Sequence, residues 1–139
     1  MYLDHVVLWV EDPLKTARWL MELVGFEPVR VEEFERGESP FPSVRVNEHS
    51  IIDLSPRSDA PGVNDMTKTD ASAGFPVNHV CIDVGSKAEY EALAERFEAA
   101  GVDTSARRKV TYGAKRYAPE AFYIRDFDGN VLEFRYYDE

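Results

Sequence analysis

The strongest constraint on the fold is an internal repeat. The stretch "LDHVVLWVEDP" aligns with "VNHVCIDVGSK" in the second half, which sets His79 on His5 at an offset of 74 (79 − 5). The glycines that close the following helical stretches, Gly25 and Gly101, give 76 (101 − 25). Laying "SIIDLSP" over "NVLEFRY" sets Glu133 on Asp53 at 80 (133 − 53). An offset that grows along the chain is what a duplication with a few extra loop residues in its second copy produces. Each copy opens on a strand with a histidine and closes on a strand with a carboxylate.

Within a copy the order reads β-α-β-β-β. "LDHVVLWV" is a strand, Asp12 caps the following helix, and Pro13 suits its first turn. Leu14, Ala17, Met21 and Val24 mark the helix's apolar face, and Gly25 ends it. Extended stretches follow near Pro28–Glu33, Ser43–Asn47 and Ser50–Ser55, with "NEH" as a tight turn between the last two. In the second copy "VNHVCIDV" is the strand and Ser86 with Glu89 forms a capping box. Tyr90, Leu93, Ala94, Phe97 and Ala100 form the buried stripe, which Gly101 closes. Strands are expected near Arg108–Tyr112, Ala121–Arg125 and Val131–Tyr137, the last two joined by the Asp-Gly turn of "DFDGN". The fold class is therefore α+β, two tandem βαβββ modules in a single domain of 139 residues. Module 1 covers about 1–56 and module 2 about 77–139. The Pro-, Gly- and Ser-rich segment at about 57–76 is the linker.

Side-chain alternation assigns faces. Val6, Leu8 and Val10 share one face of the first strand; His5, Val7 and Trp9 share the other. In the matching strand Val80, Ile82 and Val84 oppose His79, Cys81 and Asp83. The aliphatic faces pack on the helices, together with Ile52, Leu54, Leu132 and Phe134. His5, His79, Asp53 and Glu133 then fall on the open sides. Two modules whose open faces curve together would make a cleft with two imidazoles and two carboxylates. Such N/O donors suit a divalent ion: Zn, Ni, Mn, Co or Fe(II).

Plainer readings stand beside these. His5 alone would be an ordinary core histidine; its repeat partner makes it a ligand candidate. An inward Glu133 in an apolar strand is costly unless paired or metal-bound. Asp53 is open among ligand, base and plain strand-end acid, while His49 sits in a turn and is solvated. Arg107, Arg108, Lys109, Lys115 and Arg116 read first as a solvated loop, and second as a patch that steers an anionic substrate. Arg45 shares the Asp53 side and is placed to bind a carboxylate or phosphate. Tyr123 is a candidate for orienting substrate, and Trp9 for lining the cleft or packing in the core.

Charge and composition narrow the partners. A net charge of -10 disfavours nucleic acid. The single cysteine, Cys81, excludes an internal disulfide and fits a reducing compartment. No apolar run reaches the ~18 residues that span a bilayer, and no secretory signal is read at the N-terminus. The expectation is a cytoplasmic protein acting on a small molecule.

The paired modules, opened by "DHVVLWVED" and "NHVCIDV" and closed by "AFYIRDFDGNVLEF", resemble the vicinal oxygen chelate superfamily over essentially the whole chain. That superfamily includes glyoxalase I, fosfomycin-resistance transferases, extradiol dioxygenases, methylmalonyl-CoA epimerase and bleomycin-resistance proteins. The resemblance implies that His5, His79 and Glu133 are the metal triad. Asp53 falls where glyoxalase I and the epimerase carry a fourth ligand, usually Glu. One methylene shorter, it reaches the ion directly, through water, or serves as a base instead. The implied activity is lyase or isomerase chemistry on a vicinal-oxygen substrate, with Glu133 or Asp53 moving the proton. Extradiol cleavage or thiol transfer on the same metal site is the alternative, as is a metal-free drug- or metabolite-binding resistance protein. A homodimer is implied by analogy.

Overall fold

A computed structural model describes residues 3–59, 79–115 and 117–138. The chain divides into two compact units, Met1–Ser72 and Ala73–Glu139. Unit 1 runs β1 (His5–Val10), α1 (Pro13–Leu23), β2 (Glu27–Val29), α2 (Val31–Glu35), β3 (Ser43–Arg45) and β4 (Ile51–Pro56). Unit 2 runs β5 (His79–Asp83), α3 (Lys87–Ala99), β6 (Arg107–Tyr112), β7 (Tyr117–Arg125) and β8 (Val131–Arg135). Among the described residues each sheet has four strands, ordered β1-β4-β3-β2 and β5-β8-β7-β6. In each, the first strand lies parallel to the last and the remaining pairs are antiparallel. The helix between first and second strands provides the crossover that this placement needs.

The duplication persists in the register. Val7 lies opposite Asp53, and Cys81 lies opposite Glu133. In both units the carboxylate therefore faces the residue two beyond the histidine. Leu8, Val10, Ile52 and Leu54 are buried in unit 1, as are Ile82, Leu132 and Phe134 in unit 2. The cores differ in chemistry. Unit 1 is mainly aliphatic, whereas Tyr90, Phe97, Phe122, Phe134 and Tyr136 of unit 2 stack at centroid distances of 5.0 to 6.3 Å.

The helix caps follow the sequence. Asp12 accepts from Lys15 N, and Ser86 Oγ accepts from Glu89 N. Gly25 and Gly101 take positive φ, +86° and +80°, the left-handed close that lacks a Cβ clash.

Three local expectations are corrected. The stretch Pro28–Glu33 is not one strand: β2 ends at Val29, and Arg30 at φ +57° turns the chain into α2. Glu32 and Glu33 favour that helix by facing its positive N-terminal end. The buried side of α1 is Pro13, Thr16, Ala17 and Leu20 rather than Leu14, Met21 and Val24, which are half-buried. Small Thr16 and Ala17 let the helix sit close on the sheet. Ala100 is exposed at the end of α3. Of the expected linker, Arg57–Asp59 forms one turn of 3-10 helix, and 60–76 lies outside the described residues.

Candidate functional site

In unit 1, His5 stands at the start of an edge strand, so its ring is half exposed while Asp53, on the inner strand β4, is buried. His5 Nδ1 lies 2.8 Å from Asp4 Oδ2, and its Nε2 lies 3.8 Å from Asp53 Oδ2. With Nδ1–H given to Asp4, the neutral ring turns the Nε2 lone pair toward a carboxylate oxygen. The hydrogen bond to Asp4, followed by the charge of Asp53, raises the His5 pKa. On the far side of Asp53, Ser43 Oγ donates to Oδ1 at 2.6 Å and accepts from Arg30 Nη2 at 2.9 Å. Arg30 Nη2 is itself 3.6 Å from Oδ1, and its guanidinium lies 5.7 Å from the centroid of Phe41.

In unit 2, His79 Nε2 is 2.8 Å from Glu133 Oε2. Glu133 is almost fully buried, at 1% exposure. Arg135 donates to Glu133 Oε1 through Nε at 3.1 Å and also through Nη2, which lies 3.5 Å from Thr111 Oγ1. Burial works against the charged guanidinium, but its hydrogen bonds to Glu133 and Tyr137 prevail and hold it charged. Of the two expectations for an inward Glu133, a paired partner or an ion, Arg135 supplies the first. Tyr123 lies opposite Glu133 and meets His79 edge-on at 5.7 Å. Burial, and then the Glu133 charge, push its phenol pKa up. Cys81 shares this face; burial and then Glu133 raise its thiol to about 11, so it is a poor thiolate ligand.

The other candidates scatter. Arg45 sits two residues along β3 from Ser43 and donates to the Asn47 carbonyl at 3.3 Å. Trp9 is half-buried on β1 opposite Ser55, and His49 is exposed in the turn before β4. In the basic cluster, Arg107 contacts Glu98, Glu120 and the Phe122 ring, and Lys115 pairs with Asp83 at 2.7 Å. Arg108 and Lys109 are exposed, and Arg116 lies outside the described residues.

Among the described residues no three His, Cys, Asp or Glu side chains gather closely enough to hold an ion. Each unit presents a pair. Two donors on one ion at about 2.1 Å stand about 3.0 Å apart at a right angle and about 3.4 Å apart at the tetrahedral angle. The pair separations of 2.8 and 3.8 Å bracket these values, and the donors are the borderline N/O set that divalent metals take. The residues fit a metal in chemistry and in spacing within each pair.

Sequence reasoning missed Asp4, Arg30, Ser43 and Arg135. Arg135 was within reach, since it is two residues from Glu133 and shares its face. Ser43 needed the β3–β4 register, and Arg30 lies at a turn that carries no periodic signal.

The chain matches the family described as "Glyoxalase/Bleomycin resistance protein/Dioxygenase superfamily" over residues 2–134. Its fold is similar to that of a protein from the mobile metagenome of V. pseudocholerae, at a TM-score of 0.71 and 23% identity over 100% of this chain and 96% of that one. It is similar to lactoylglutathione lyase from Agrobacterium tumefaciens at 0.65 and 19%, covering 97% and 92%. It is similar to the oxidase ChaP-H2 at 0.63 and 18%, covering 99% and 94%. No curated protein matches it.

Proposed function

The chain belongs to the glyoxalase/bleomycin resistance protein/dioxygenase superfamily, and on that premise we propose that it is a metal-dependent lyase or isomerase acting on a small vicinal-oxygen substrate. The observation that carries the reading is the repeated pair: a half-exposed histidine facing a buried carboxylate, at the same register in both units. His5 and His79 with Glu133 would hold the ion, and Asp53 would be a fourth ligand or the base. A homodimer belongs to the same proposal, by analogy within the superfamily.

A bound divalent ion supplies Lewis-acid stabilisation of negative charge on substrate oxygens. The chain's own residues do the rest. Asp4 fixes the His5 ring through Nδ1. The carboxylate of Asp53 or of Glu133 would take and return a substrate proton. Tyr123, beside His79, would orient the substrate, with Trp9 lining the face and Arg45 meeting an anionic group. No described helix is long and apolar enough to cross a membrane, and with one cysteine this supports a cytoplasmic assignment.

Anaerobic reconstitution with Zn, Ni, Mn, Co and Fe(II) tests the proposal, followed by assays of hemithioacetal isomerisation, catechol cleavage and epoxide–thiol addition. The double variant His5→Ala/Glu133→Gln should lose metal affinity while keeping its fold. Unchanged affinity would refute the ligand assignment.

A second reading has its own observation. Arg135 already pairs with Glu133, so that buried carboxylate is compensated without an ion. Absence of bound metal, together with no thermal stabilisation by any of the five ions, would select it.

A further inference from the structure

Each carboxylate is held on one oxygen by a hydroxyl or a guanidinium and meets its histidine with the other. In unit 1 the buried Ser43 hydroxyl accepts from Arg30 and donates to Asp53 Oδ1. A hydroxyl has one proton; with a guanidinium on its lone pair, that proton is committed to Oδ1. In unit 2 an arginine fork usually spreads over both carboxylate oxygens. Here Nε and Nη2 of Arg135 converge on Oε1 alone. In each unit the remaining oxygen, Oδ2 or Oε2, is the one that faces the histidine. The two devices are not copies of one another. Arg30 lies between β2 and α2, whereas Arg135 lies on the same strand as its carboxylate, and the repeat equivalent of Arg135 is Ser55.

We propose that Ser43 with Arg30, and Arg135, are positioning residues that restrict Asp53 and Glu133 to one-oxygen ligands. The inference rests on the metal reading above. A carboxylate that turns freely binds an ion through one oxygen or through two. Withholding Oδ1 and Oε1 keeps coordination positions vacant, and a substrate with two neighbouring oxygens needs two of them. These residues thereby select chelating substrates over ligands with a single donor atom.

The test uses the full chain loaded with Co(II), comparing Ser43→Ala and Arg135→Lys with the unaltered protein. X-ray absorption should show about one more N/O neighbour in each variant, and the visible Co(II) band should weaken as coordination number rises. Acetohydroxamate, a two-oxygen probe, should bind the variants ~10-fold more weakly. A bound ion with unchanged coordination number and spectrum overturns the inference, even where metal affinity falls. Failure of the unaltered chain to bind Co(II) overturns the metal reading itself. Ser43→Ala disturbs no charge, so it keeps the inference open to refutation if Arg135→Lys does not fold.

Discussion

Glu133 and Arg135 form an ion pair within a single strand, two residues apart on one face, and both are buried. Removing one partner strands the other. Arg135→Met is expected to cost about 3–5 kcal/mol, and Arg135→Met/Glu133→Leu to recover most of that. Urea denaturation of the two variants checks it; equal losses in both would show that the pair carries no such coupling.

Asp4 holds the ring of His5, and its hydrogen bond, followed by the Asp53 charge, raises the His5 pKa above the ordinary 6.5. Because that value is raised in the fold, the stabilisation is fully present below about 6.5 and is lost as pH rises through the folded value. A metal competes with the same proton, so affinity falls with acid. Asp4→Asn should lower the His5 value and weaken Co(II) binding about 10–100-fold. An NMR titration of the metal-free protein and chelator competition read the two effects separately.

Cys81 is reached by solvent, yet its thiol is raised from 9.0 to about 11. Alkylation by iodoacetamide should be slow at neutral pH and accelerate up to about pH 11. The unfolded thiol ionises first, so folding stability should fall as pH climbs from about 9 to about 11. Rapid labelling at pH 7 of folded protein would contradict the packing around Cys81.

Among the described residues the Tyr90 hydroxyl, buried beside Phe122 and Tyr136, makes no hydrogen bond of good geometry, Glu120 being its nearest acidic neighbour. Burial raises its pKa far above the usual phenol range, with the Glu120 charge acting in the same sense. Tyr90→Phe removes an unpaired polar atom while keeping the ring. It should leave the protein unchanged or more stable by about 1 kcal/mol. A loss of that size in thermal unfolding would mean the hydroxyl has a partner in solution.

The repeat and the two-residue alternation were enough to find both histidine–carboxylate pairs. Those signals are periodic; the parallel register of first and last strands, which sets each carboxylate beside its histidine, comes from the structure. What stayed hidden is aperiodic. Val31 reads as a strand residue until Arg30 takes a positive φ, which no pattern of apolar residues announces. Ser43 is one serine among many until β3 is paired with β4. Glu133 shows the opposite failure. Its inward placement and its need for a partner or an ion were legible, but the partner itself, Arg135 two residues away, was not picked out.

The placement of each histidine and its carboxylate on the first and last strands of a unit also bears on how the protein is made. His5 and Asp53 are 48 residues apart in the chain, and His79 and Glu133 are 54 apart. The strand that carries each carboxylate docks beside the first strand only after the crossover helix and the intervening hairpin strands are present. Each pair is thus among the longest-range contacts its unit makes, the kind whose loop-closure entropy is met late. A chain fully made but not yet folded carries the donor atoms of each pair without the pair itself, so each histidine–carboxylate contact marks the completed folding of its own unit.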